Sequence, residues 1–207
     1  RLQACFVDFG VEKNGFLSIG DVHPEYYKVD LVGSGGYGPA PIEKVLSKGQ
    51  EVLIQVTREM PGRKGAHLTT FISFAGRYLV LTPGRTINGV SRKIEDEAER
   101  QRLKSAMDEL RLPEEIGYIV RTVAVGQTKK ELSKDLNRLL RMWKNIRARV
   151  KEAPLFSLIH KEQDVCHRTL RDYYTSDVSE ILVDEQETYA STLEYMKIVS
   201  PRDEDRV

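Results

Sequence analysis

Paired sulfur is missing from this chain. Of 207 residues only Cys5 and Cys166 are cysteines, far apart in sequence, and no Cys-x-x-Cys occurs. A disulfide scaffold is thereby excluded, and so is a structural zinc site built within the chain, because His23, His67, His160 and His167 show no ligand spacing with either thiol. Two thiols in apolar surroundings fit a reducing compartment. Long apolar runs are missing too: none approaches the roughly 20 residues that span a bilayer, and no signal-peptide pattern opens the sequence. Nor does one sign of charge dominate. With 32 Lys and Arg against 31 Asp and Glu the formal charge is +1, so the distribution of charge, not its sum, must speak for or against a polyanionic partner. Arg1 leads into a strand-like run with no initiator Met, which sets the expectation that further sequence precedes it.

What is present is ordinary globular material, 40% hydrophobic and 30% charged, too apolar for a disordered chain. Its charges are segregated. Between 134 and 151 the bases Lys134, Arg138, Arg141, Lys144, Arg147, Arg149 and Lys151 face the single acid Asp135, whereas from 177 to 205 acids outnumber Lys197 and Arg202. The first region suits phosphate and the second repels it.

The order of elements predicts an α+β chain. Loose alternation gives strands at 2–9 and 15–19, the stretch 33–41 is too rich in glycine and proline for regular structure, and strands at 51–57 and 68–73 flank a basic turn at 58–64. Short strands with long polar loops suit a small barrel of the oligonucleotide-binding (OB) type, here without a visible first strand. From Tyr78 the pattern changes to a strand at 78–81, a helix at 95–110, a strand at 118–120 and a helix at 128–151 with a Thr128/Glu131 capping box. Beyond Pro154 the pattern gives a strand at 155–159, a helix at 165–174, a buried strand at 181–183 and a helix through Met196 capped by Asp184 and Glu187. The predicted organisation is an incomplete barrel over 1–75, an α/β region over 76–154 and a partial subdomain over 155–207.

Several residues admit both a chemical and a structural reading. Phe6 and Phe16, on short strands either side of a turn, either fill the core or stack on bases, while Lys64 at the tip of the basic loop holds backbone phosphate or is simply solvated. Arg92, after Gly89-Val90-Ser91, and Arg121-Thr122, after a strand, either grip a phosphate with the guanidinium fork or form surface ion pairs. The basic run on the 128–151 helix is most simply a solvated face opposite its Leu/Trp stripe, with an RNA-facing role as the alternative. Asp164, Asp172, Asp177 and Asp184 read as caps and surface acids before they read as a two-metal cluster.

Segments in order along the chain carry a resemblance. Ala4-Cys5-Phe6-Val7-Asp8-Phe9-Gly10, Asn14-Gly15-Phe16-Leu17, Lys64-Gly65-Ala66-His67-Leu68-Thr69-Thr70, Tyr78-Leu79-Val80-Leu81, Gly89-Val90-Ser91-Arg92-Lys93-Ile94, Ile119-Val120-Arg121-Thr122 and Leu170-Arg171-Asp172-Tyr173 resemble the ribonuclease E/G family. That resemblance implies an OB barrel of the ribosomal S-one type inserted in an RNase H-like subdomain, then a 5′ sensor. It implies that Phe6, Phe16 and Lys64 hold single-stranded RNA, and that Gly76, Val80, Arg92, Arg121 and Thr122 form the sensor, with Arg92 and Thr122 approaching a 5′-monophosphate and Arg121 supporting the pocket. It further implies a cytoplasmic endoribonuclease that cleaves AU-rich single-stranded RNA in RNA processing and decay, and that assembles as a homo-oligomer with degradosome-type protein partners. Its catalytic magnesium and the zinc linking protomers would be held outside these 207 residues, leaving this piece with no catalytic or metal residues and no cutting activity alone. The alternative is a non-catalytic RNA-binding module.

Overall fold

The computed structural model describes residues 3–28, 41–60, 65–161, 164–175 and 177–207. The chain divides into two compact units, Arg1–Ile159 and His160–Val207. Two mixed β-sheets and several helices make it α+β.

In the first unit, β1 (Ala4–Val7), β2 (Gly15–Ser18), β3 (Gln55–Arg58) and β4 (His67–Thr69) form a sheet ordered β1-β2-β4-β3, with β2 and β4 parallel and the other pairs antiparallel. Alternation decides what faces inward. Leu17 and Leu68, adjacent in register, are almost fully buried against Val22, Ile42 and Val45, the last two on the one-turn helix α1 (Ile42–Val45). Gly15 lets the strands close, because a methyl group there would lie 2.3 Å from Leu68 Cδ1. The strands are shorter than the sequence pattern suggests, and the third is shifted toward the basic turn with a bulge between Val56 and Arg58. Most of the glycine-rich stretch and Lys64 itself lie outside the described residues.

The second sheet is ordered β5-β6-β8-β7, from β5 (Phe74–Ala75), β6 (Leu79–Pro83), β7 (Asn88–Val90) and β8 (Ile116–Val120). Leu79, Leu81, Tyr118 and Val120 point to one face, which α2 (Glu97–Asp108) and α3 (Lys129–Glu152) cover with Leu103, Met107, Leu132, Leu136, Leu139 and Ile146. Val80 and Ile119 point to the other face, and Ile119 is exposed. Both helices begin on side-chain caps. Asp96 accepts from the Ala98 and Glu99 amides, and Thr128 from Glu131, as its capping box predicts. Trp143 packs against Phe74 at a ring separation of 5.7 Å.

The second unit contains α4 (Val165–Tyr173) and α5 (Gln186–Val199), with His167 stacked on Tyr195 at 4.6 Å and Met196 fully buried. Asp164 caps α4 through the His167 amide. Three expectations fail. Residues 155–159 and 181–183 form no strand: among the described residues neither run has a neighbouring strand to bond with, and Leu182 is 83% exposed. The cap of α5 is Glu185, which accepts from Glu187 and Thr188, and not Asp184, so the helix begins later than the capping-box reading places it.

Candidate nucleic-acid interface

On the first sheet, burying Leu17 and Leu68 forces their neighbours outward. Phe6 stands opposite Phe16, Phe16 opposite His67, and His67 opposite Arg58, so a stripe crosses all four strands on the face away from the core. The rings are in contact, with Phe6 edge-on to Phe16 at 6.2 Å and Phe16 tilted against His67 at 5.3 Å. Phe6 is 71% exposed and Phe16 half-buried. Phe6 therefore lies outside the core, on the face that the burial of Leu17 leaves outward. An open row of π-faces ending in a guanidinium presents what unstacked bases and a phosphate backbone contact. His67 also belongs to this row, although the sequence pattern singled it out neither as a ligand nor as a ring that faces outward; its position immediately before buried Leu68 was the available signal.

On the second sheet, β7 and β8 run parallel with Val90 paired to Val120, and the Ser91 amide donates to the Val120 carbonyl at 2.8 Å. Arg92 and Thr122 each lie two residues beyond that matched pair, so both leave the carboxyl ends of adjacent strands, and both are exposed. The turn bearing Arg92 is held from below, where Arg100 Nη1 donates to the Ser91 and Ile94 carbonyls at 2.8 and 3.2 Å. The turn bearing Thr122 is held from beyond. Glu99 accepts from the Gly126 amide and pairs with Arg102, which also donates to the Gln127 carbonyl. Those contacts stabilise the carboxylate of Glu99 and lower its pKa to about 2, the Arg102 hydrogen bonds contributing most and the Gly126 amide next.

Arg121 turns the other way. Its Nη1 donates to the Gly76 carbonyl at 2.6 Å and the Arg77 carbonyl at 3.2 Å, tying β8 to the β5–β6 hairpin. Beneath that hairpin lies Asp135 of α3, a buried carboxylate that accepts from the Arg77, Tyr78 and Leu79 amides at 3.2, 2.8 and 3.1 Å. Gly76 is required there, because a methyl group would lie 2.4 Å from Asp135 Oδ2. Val80 lies on the open face in register with Ile119 and, through it, Gly89. The fold thus joins Gly76 to Arg121 directly and sets Arg92 level with Thr122, with Val80 on the same sheet; Phe6 and Phe16 lie on the other. Asp135 was missed as a positioning residue, although an acid amid Leu132, Leu136 and Leu139 on an apolar stripe signals a buried partner.

The fold is that of an α+β chain whose two sheets carry outward groups, one a ring stripe and the other Arg92 and Thr122 at neighbouring strand ends. Comparison with known proteins gives the family: residues 73–207 match the Ribonuclease E/G family, and the chain belongs to that family. It is 43% identical over 201 residues to ribonuclease E of Haemophilus influenzae, covering 97% of this chain and 21% of that protein. To ribonuclease E of Escherichia coli K12 it is 44% identical over 184 residues, covering 88% and 17%. To ribonuclease G of the same strain it is 36% identical over 194 residues, covering 94% and 40%. The chain therefore spans well under half the length of each of these relatives. Among the described residues no three His, Cys, Asp or Glu converge as a metal ion would need, and no helix is long and apolar enough to cross a membrane.

Proposed function

We propose that this chain holds single-stranded RNA and reads the phosphate at its 5′ end, as part of a cytoplasmic endoribonuclease acting on AU-rich RNA in processing and decay. In this reading 1–75 is an S-one-type barrel lacking its first strand, 76–154 the 5′ sensor and 155–207 part of an RNase H-like subdomain. The observation that carries it is the matched register of β7 and β8, which sets a guanidinium and a hydroxyl at neighbouring strand ends. A terminal phosphate presents a compact double charge and acceptor oxygens to such a pair, and the carboxyl ends of parallel strands are where open sheets take up ligands. Phe6 and Phe16 stack on bases of the same strand; Lys64 belongs to this group by resemblance. Arg121 acts on the pocket through Gly76, and Val80 lines the face beside it.

Cleavage we assign to magnesium-activated water in the intact protein, which forms a homo-oligomer through a zinc link and docks degradosome-type partners. Among the described residues no three His, Cys, Asp or Glu converge as a magnesium site would need, and no step in this chain runs through either metal. The test is binding of short oligoribonucleotides with 5′-monophosphate or 5′-hydroxyl ends. Wild type should prefer the monophosphate, and Arg92→Ala should reduce that preference by about tenfold or more, the loss of one charge-assisted contact worth roughly 1.5–3 kcal/mol. An unchanged preference in the variant overturns the assignment.

A further inference from the structure

The outer face of α3 belongs to neither surface described above. The helix buries Leu132, Leu136, Leu139 and Ile146 on one side. At about 100° per residue, Lys130, Lys134, Arg141, Lys144 and Lys151 fall within an arc of roughly 100° on the opposite side, along about 31 Å of axis. All five are exposed. Lys134 pairs with Glu131, whereas among the described residues no ion pair engages Lys130, Arg141, Lys144 or Lys151. At the amino end the row opens into a groove of about 410 Å³ lined by Leu110, Lys129, Lys130, Ser133, Lys134 and Asn137, where Lys129 also pairs with Glu109.

We propose that this face of α3 is a track for the phosphodiester backbone of RNA, additional to the ring stripe and the strand-end cluster. The proposal rests on the reading that the chain handles RNA. The row carries cations with Ser133, Asn137 and Ala148 between them, one acid, Glu152, at its carboxyl end, and no aromatic ring, so it offers phosphate contacts along most of its length and nothing for bases to stack on. Binding here is therefore independent of sequence and strongly dependent on salt. An anionic membrane is the poorer occupant, because an interfacial helix must insert its apolar face, and that of α3 is already committed to the core, Leu132 and Leu139 having no exposure at all. A row of cations on a rigid helix also resists collapse, which keeps their spacing fixed for a strand or a duplex lying along it.

The experiment compares the intact wild-type protein with Arg141→Gln/Lys144→Gln/Lys151→Gln, three exposed changes that leave the apolar face alone. Affinity for unlabelled-end single-stranded RNA and for duplex RNA is measured from 50 to 200 mM salt. Removing three phosphate contacts should flatten the log–log salt slope by about 2 for a single strand and about 3 for a duplex; the first amounts to roughly a twentyfold smaller loss of affinity across that range. The 5′-monophosphate preference should not move. Equal slopes in the two proteins overturn the track, as does an effect confined to vesicles of anionic phospholipid or to acidic proteins. A collapse of the 5′ preference in the triple variant also overturns it, by showing that the helix acts through the strand-end cluster. Wild-type protein that binds no RNA sinks the functional reading itself, whereas binding with unchanged slopes sinks the track alone.

Discussion

Removing the Asp135 carboxylate tests how the candidate sensor is held together. Two of its three donors, the Tyr78 and Leu79 amides, are buried and share Oδ2, while the Arg77 amide, half-buried, uses Oδ1. Asp135→Ala leaves all three without an acceptor. A buried amide deprived of its partner costs about 1–3 kcal/mol, and the two buried donors set the scale, giving a loss of roughly 2–6 kcal/mol; the gain in helix propensity offsets only about half a kcal/mol. Asp135→Asn is a sharper probe. Its single oxygen can take the Oδ2 position and keep two of the three bonds, while its NH2 group then faces the Arg77 amide donor to donor. The expected cost is about 1–3 kcal/mol, well below that of alanine. Equilibrium urea unfolding measures both, with the slope of free energy against denaturant checked for constancy. Because the hairpin also carries the Gly76 carbonyl that receives Arg121, the alanine variant should lose 5′-end preference before it loses affinity for internal RNA. An alanine variant that costs less than about 1 kcal/mol, or an asparagine variant as costly as alanine, refutes the account.

Gly76→Ala forces a methyl group to within 2.4 Å of the same carboxylate, so it should destabilise by about 1–3 kcal/mol, the range for overpacking, and should be partly suppressed when combined with Asp135→Ala in a double-mutant cycle. Glu99, whose pKa in the fold is lowered to about 2 from 4.5, favours the folded state above pH 4.5; below that the unfolded chain takes up a proton first, and the contribution disappears as pH falls toward 2. Glu99→Gln should thus flatten stability against pH between about 4.5 and 2, and an identical acid limb in wild type and variant counts against the Arg102–Gly126 clamp. Phe6→Ala, at an exposed position, should shift stability by less than about 1 kcal/mol yet weaken RNA binding by about 1–3 kcal/mol irrespective of the 5′ end; titration with two oligonucleotides differing only at that end decides it.

Elements with strong local signals were legible in the sequence. The capping box and the long Leu/Trp stripe locate α3 to within a residue or two, because helix caps and helical periodicity are local properties. Strands are less local. β5 and β7 have two and three residues and no alternation of their own, and they exist because β6 and β8 supply the hydrogen bonds. The converse case has the same cause: Ile181-Leu182-Val183 has the composition of a strand but, among the described residues, no neighbouring strand, and its one backbone bond, from the Ile181 amide to the Arg206 carbonyl, leaves Leu182 in solvent. For Phe6 and Phe16 composition left both faces open, and the choice followed from which neighbours, Leu17 and Leu68, the core required.

The strand-end cluster was legible in its residues and illegible in its assembly. Arg92 and Thr122 are separated in sequence by the whole of α2, and nothing local says that the segments at either end of that helix lie side by side. Parallel pairing of β7 with β8 does so, for a geometric reason: a crossover through a helix returns the chain in the same direction, bringing two carboxyl-terminal strand ends, and whatever follows each, to the same edge of the sheet. The helix that makes the crossover then fixes both turns, through Arg100 on one and through Glu99 with Arg102 on the other. One element thus covers the core and sets the spacing between the guanidinium and the hydroxyl. That spacing should respond to changes in α2 that touch neither residue.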